Sequence, residues 1–220
     1  MKNQAAPSAV FDAIRDTGLI SILRGVDSGK ICDVVDIMSQ TGIQLVEVSL
    51  DTPDALQSIQ KLSRTFAGDL LIGAGTVLDR ETAQQAISAG AEFVLSPTLD
   101  IPVVACCIEN GVLLIPGVFS PSEIALAKAA GAVLVKVFPA NLLGTDYVRK
   151  MLDLFVNLEI LAVGGIDLNN IGAFISAGTL GAGIGSKLAG RDIVGFQDYE
   201  LLGRRTKQYL QKIQLAKSTT

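Results

Sequence analysis

The chain has 220 residues, 49% of them hydrophobic and 5% aromatic, a length that can bury a sizeable core without disulfides or metals. A net charge of −4 and a pI near 4.9 exclude a nucleic-acid partner of the usual kind, which needs a broad basic face, but leave room for one small anion site. Histidine is absent altogether, which removes Ser–His and Cys–His nucleophiles, imidazole bases and His-ligated metal sites.

In chain order, the opening MKNQAAPSAVFDAI holds no apolar core of signal-peptide length, and its periodicity predicts a first helix over 7–17. No run of about 18 apolar residues follows, because Lys136 interrupts the longest candidate. The expectation is a soluble, cytoplasmic protein without a membrane partner. Short β-branched runs then predict strands over 19–23, 45–50, 70–74, 93–96, 112–115, 133–137, 160–163 and 180–184. Helical patterns lie between them near 29–41, 53–66, 80–89, 100–110, 121–130, 146–156 and 168–177, with a final helix over 198–214. Asp51-Thr52-Pro53 and Ser120-Pro121 place a capping residue ahead of a proline, and Gly42, Gly90, Gly111, Gly131 and Gly178 read as helix ends.

Eight strand–helix units without a linker or composition shift predict one domain of class α/β, residues 1–220. The architecture is a (β/α)8 TIM barrel carrying an additional N-terminal helix. The rival, an open doubly wound sheet, lacks a GxGxxG in its first βα turn. Cys32, Cys106 and Cys107 form no CxxC pair; the adjacent two, on a predicted helix, should fill one core and one surface position as reduced thiols.

Three charges interrupt apolar strands. Lys136 shares a face with Leu134 and Phe138, Glu47 with Leu45 and Ser49, and Arg24 ends the first strand on the face of Ile20 and Ile22. Each alone reads as well as a snorkelling or surface charge. Together, in the latter halves of strands whose carboxyl ends form the mouth of a barrel, they offer imine chemistry a nucleophile and a proton carrier. A lysine of ordinary pKa, about 10.4, is protonated at neutral pH. Desolvation by Val135, Val137 and Phe138, with Arg24 nearby, would free its amine, and Glu47 would move the protons.

Glycine pairs follow the last two strands, Gly164-Gly165 and Gly183-Ile-Gly185-Ser186, where barrels often bind phosphate through backbone N–H groups. The plainer reading is a pair of tight turns, with Asp167 and Ser186 as helix caps. Gly73-Ala-Gly-Thr76 serves equally as a small carboxylate cradle or as a turn.

These segments, ILRG, VEVSL, IGAGTVL, LSP, PG, VKVFPA, VGGI and GIGSKL, follow one another across about residues 17–190. In that order the chain resembles the 2-keto-3-deoxy-6-phosphogluconate/4-hydroxy-2-oxoglutarate aldolase family. The resemblance implies a class I aldolase that needs no metal and no cofactor and forms a homotrimer. It makes Lys136 the Schiff-base lysine and Glu47 the general acid/base. Arg24, Thr76 and Pro97 line the pyruvate end, Phe138 packs beside the lysine, and Gly164, Gly165, Gly185 and Ser186 bind phosphate. The implied substrate partner is a phosphorylated 2-keto-3-deoxy sugar acid, cleaved to pyruvate and glyceraldehyde 3-phosphate, with 4-hydroxy-2-oxoglutarate as a further candidate. Asp51 and Val163 stand where the gluconate type carries arginine and threonine, and there the galactonate-cleaving members are the better match. A metal-dependent epimerase on the same barrel is disfavoured by the missing histidines, and a non-catalytic phosphate sensor by the retained Lys136 and Glu47.

Overall fold

The computed structural model describes residues 6–195 and 197–219. Among them, strands β1 (Leu19–Leu23), β2 (Leu45–Ser49), β3 (Leu71–Gly75), β4 (Phe93–Leu95), β5 (Leu113–Ile115), β6 (Gly117–Val118), β7 (Leu134–Val137), β8 (Glu159–Val163) and β9 (Gly181–Ile184) make one sheet. Every pairing is parallel, in the order β5-β4-β3-β2-β1-β9-β8-β7-β6.

The strand predicted over 112–115 is thus β5 alone, and beyond Pro116 a second short strand, β6, that the sequence did not mark takes over. Proline has no N–H to give a ladder, so pairing breaks there. The Ile115 carbonyl still accepts from Ser96 of the β4 side, and the Pro116 carbonyl accepts from Lys136 of β7 at 2.8 Å. The chain hands over from one neighbour to the other at this residue, which completes the ring of a (β/α)8 barrel.

Around it run α1 (Pro7–Thr17), α2 (Ile31–Ser39), α3 (Ala55–Thr65), α4 (Arg80–Ala89), α5 (Ile101–Glu109), α6 (Pro121–Ala129), α7 (Ala140–Leu154), α8 (Ile171–Ser176), α9 (Ser186–Ala189), α10 (Arg191–Val194) and α11 (Tyr199–Ser218). The five glycines read as helix ends all adopt the left-handed conformation. Ser120 caps α6 in a full capping box with Glu123.

The other proposed cap is corrected. Helix α3 starts at Ala55 behind a left-handed Asp54 (φ 57°), because Thr52 turns away to accept from the Gly25 N–H at 2.9 Å. Helix α7 begins six residues ahead of the expected 146, in two pieces broken by a non-helical Gly144, whose φ is 77°. The short helices α9 and α10 break no periodicity long enough to read. Cys106 and Cys107 are both fully buried, so the surface position expected for one of them is also corrected.

Two apolar clusters follow from strand alternation. Residues such as Val46, Val48, Val135, Val137, Ala162 and Ile184 face outward under the helices. Ile20, Ile22, Leu45, Phe93, Leu95, Leu113, Ile115, Leu134, Leu161 and Val163 fill the barrel, joined by Val10, Ala13 and Ile14 of α1. Helix α1 therefore plugs the barrel against β2, β5 and β9; burying a side chain such as Ile14 there contributes about 1.5–3 kcal/mol. With the floor closed, chemistry is left to the carboxyl-end mouth.

Candidate active site

Strands β2 and β7 lie four steps apart in the ring, on opposite walls, and from them Glu47 and Lys136 project inward above the apolar filling. Glu47 is 2% and Lys136 5% exposed. Val135 and Val137 do not desolvate the lysine as expected, since alternation turns them outward. The barrel interior does so instead, with the Phe138 ring centroid 5.0 Å from Lys136 Nζ.

Burial moves both groups toward neutrality. Lys136 is lowered from the ordinary lysine value chiefly by desolvation, which Glu47 opposes and the Arg24 cation reinforces. Glu47 is raised to about 7, again chiefly by desolvation, against the attraction of Lys136 and Arg24 and with help from Asp51. A carboxyl group of that pKa both gives and takes a proton at neutral pH. Among the described residues its buried Oε2 has no hydrogen-bond partner, which leaves it free to meet a bound molecule.

The space that Glu47 occupies is made by a missing side chain. A Cβ on Gly75 would lie 1.5 Å from Glu47 Oε1 and 2.2 Å from its Cδ. The second glycine of the GAG segment is therefore the seat of the carboxyl group, a use that sequence reading missed. The first, Gly73, lies under the Phe93 ring, and Gly117 lets the Pro97 carbonyl approach to where its Cβ would be, at 2.2 Å.

Arg24 closes the mouth beside Glu47. Its Nη2 donates to Ser49 Oγ at 3.2 Å and to Thr76 Oγ1 at 3.0 Å, and those two hydroxyls are 2.6 Å apart. Its Nε lies 3.3 Å from Asp51 Oδ2. Arg24 is exposed, as the snorkelling alternative held, but three partners hold its head at the site. Ser49 shares the face of Glu47 by strand alternation, whereas Asp51, in the turn beyond β2, reaches the site through Arg24.

Across the mouth, Gly164 (φ 92°) and Gly165 (φ 69°) take left-handed conformations closed to most side chains. A Cβ on Gly164 would meet Pro139, and one on Gly165 would meet the Asn141 carboxamide at 2.1 Å. The Asn170 amide donates to the Gly165 carbonyl at 2.9 Å and fixes the loop. Neither Asp167 nor Ser186 is a helix cap: the caps of α8 and α9 are Asn170 and Gly185, and Ser186 stands exposed at the first residue of α9. Arg24 and Thr76 thus gather on the Glu47 side and Phe138 beside Lys136, Pro97 lies against Gly117 of β6, and Gly164, Gly165, Gly185 and Ser186 occupy the loops after β8 and β9. Among the described residues no group of three or more Cys, Asp or Glu side chains could hold a metal ion, and no helix is long and apolar enough to cross a membrane.

Fold and site define the class: a barrel enzyme with a buried amine facing a buried carboxyl group, equipped as a carbon–carbon lyase. The family model described as KDPG and KHG aldolase matches residues 10–204. A 2-dehydro-3-deoxy-phosphogluconate aldolase of Treponema pallidum (strain Nichols) is 37% identical over 206 residues, 92% of this chain and 96% of the relative. A 2-dehydro-3-deoxy-6-phosphogalactonate aldolase of Escherichia coli (strain K12) is 32% identical over 171 residues, 77% of this chain and 83% of the relative. The solved KDPG aldolase of Legionella pneumophila, with pyruvate captured at low pH as a covalent carbinolamine intermediate, superposes with a TM-score of 0.86 at 26% identity, covering 93% of this chain and 98% of that one. The chain belongs to the KDPG and KHG aldolase family and is an aldolase.

Proposed function

We propose that this single barrel domain is a class I aldolase that cleaves a 2-keto-3-deoxy-6-phospho sugar acid, of gluconate or galactonate configuration, to pyruvate and glyceraldehyde 3-phosphate. It also accepts 4-hydroxy-2-oxoglutarate, giving pyruvate and glyoxylate. The observation that carries the reading is the buried Lys136–Glu47 pair: burial lowers Lys136 toward the neutral amine that attacks a ketone and raises Glu47 to about 7, where it can both take and give a proton.

Neutral Lys136 Nζ attacks the C2 ketone to give a carbinolamine, whose hydroxyl leaves as water with a proton from neutral Glu47, leaving an iminium and the Glu47 carboxylate. Glu47 as carboxylate takes the proton from the C4 hydroxyl while the C3–C4 electron pair flows into the iminium, giving an enamine and the free aldehyde. Glu47, now an acid, returns the proton to C3, and hydrolysis of the second iminium releases pyruvate. Arg24 and Thr76 hold the keto-acid carboxylate, while Pro97 and Phe138 wall the pyruvate end. Backbone N–H groups of Gly164, Gly165 and Gly185, with Ser186, hold the phosphate. Fixing the substrate at both ends aligns the bond to be broken.

The reaction calls on no metal or cofactor. We further infer a cytoplasmic homotrimer, in keeping with the family resemblance; exposed Phe119, Leu126, Val133, Leu154 and Val156 on and around α6 and α7 supply apolar surface that such an assembly would cover.

The test is trapping with pyruvate and borohydride followed by peptide mass mapping. The reduced adduct is expected on Lys136; a label on Lys128 or Lys187 with Lys136 untouched overturns the assignment. Cleavage assays on both C4 epimers, with and without phosphate, then fix the substrate.

A further inference from the structure

We propose that Asp51 is a positioning residue of the keto-acid site, holding the Nε edge of the Arg24 guanidinium so that its unpartnered Nη1 group is presented to the substrate carboxylate. The proposal rests on the imine-aldolase reading above and adds to it a residue that the reading does not use.

A guanidinium has five N–H donors in a fixed fork: one on Nε and two on each Nη. In Arg24 the Nη2 pair is directed to Ser49 and Thr76, and Nε lies 3.3 Å from Asp51 Oδ2. Nη1 has no protein partner among the described residues. The two N–H groups of Nη1 diverge by about 120°, so Nη1 can offer a charge-assisted N–H to a carboxylate oxygen while Nη2 stays on the two hydroxyls.

A long arginine side chain with 60% of its surface exposed would otherwise sample many rotamers, and each would cost binding. Buried Ser49 anchors one edge, and Asp51 is the partner on the other. Asp51 lies in the turn just beyond the end of β2, and its contact with Arg24 and its charge beside Glu47 place it at the mouth. Three charged groups face Glu47: Lys136 from β7, Arg24 from beyond β1 and Asp51 from beyond β2. The adjoining β3 contributes only Gly75 there.

Two physical effects of removing the Asp51 charge have opposite signs, which makes the proposal testable. By Coulomb attraction alone, deleting an anion beside the Arg24 cation should tighten the binding of a keto acid. If Asp51 works by holding Arg24, deleting it should loosen binding although the site gains positive charge.

The experiment measures half-saturating pyruvate in borohydride trapping for wild type, Asp51→Asn, Arg24→Ala and the double variant, each checked by circular dichroism. Asp51→Asn should raise half-saturation about two- to fivefold, the size expected of an exposed ion pair. It should also move the acid limb of the cleavage pH profile to lower pH, because Glu47 loses a neighbouring anion. In the Arg24→Ala background, where only the Coulomb effect is left, the same substitution should leave half-saturation unchanged or lower it. Equal or tighter pyruvate binding by Asp51→Asn, or an equal loss in both backgrounds, overturns the proposal. If wild type itself is not trapped, the imine reading falls instead.

Discussion

Gly75→Ala should abolish most catalysis while leaving the fold intact. The new methyl group would stand 1.5 Å from Glu47 Oε1, 2.2 Å from Cδ and 2.8 Å from Cγ. Ordinary contacts begin near 3.5 Å, so the carboxyl group must retreat by roughly 2 Å. A misplacement of about 1 Å at a reacting group can cost about 10²-fold in rate, so a fall in kcat/KM of at least that size is expected. Stability should respond differently. The displaced atoms, Cγ outward, belong to one side chain that can rotate about χ1, Gly75 does not have a positive φ, and alanine is favoured over glycine in a strand by roughly 0.5–1 kcal/mol. Melting temperature should therefore stay within a few degrees of wild type. The assay is cleavage followed through pyruvate release, with calorimetry and borohydride trapping alongside; trapping should persist, because Lys136 is not struck. A folded Gly75→Ala protein with near-wild-type cleavage would refute the idea that Glu47 must lie over this glycine to act.

Lys136→Ala should lose trapping and turnover together, whereas Glu47→Gln should still be trapped by pyruvate while cleavage falls by about 10²–10⁴-fold; full cleavage by folded Glu47→Gln would make Glu47 a structural partner only. Glu47 also links pH to stability. Its folded pKa of about 7 lies above the ordinary 4.5, so between these values the folded state binds the proton more tightly and stability falls as pH rises, by on the order of 3 kcal/mol once both are passed. The melting temperature of Glu47→Gln relative to wild type should therefore increase from pH 5 to pH 8, and a flat difference would count against the buried carboxyl group. Turnover should survive exhaustive chelation, since the chain has no histidine and its cysteines do not cluster with carboxylates; loss on EDTA treatment and recovery with a divalent ion would contradict a class I mechanism.

The sequence alone determined what depends on neighbours a few residues apart. Alternation at period two located the eight strand positions and turned Lys136, Glu47 and Arg24 to the interior face, because successive side chains on a strand point opposite ways. The Ser120 capping box and the helix-end glycines were legible for the same reason: their chemistry is complete within four residues. The tertiary structure decided whatever depends on two distant segments meeting. That Gly75 is vacant for the Glu47 carboxyl group, that Thr52 leaves α3 to bind Gly25, and that Asp51 meets Arg24 are contacts between different βα units. The handover of the fifth strand at Pro116 needed both neighbouring strands in place. So did the shifted pKa values of Lys136 and Glu47, because desolvation is a property of everything packed around a group and not of its place in the chain.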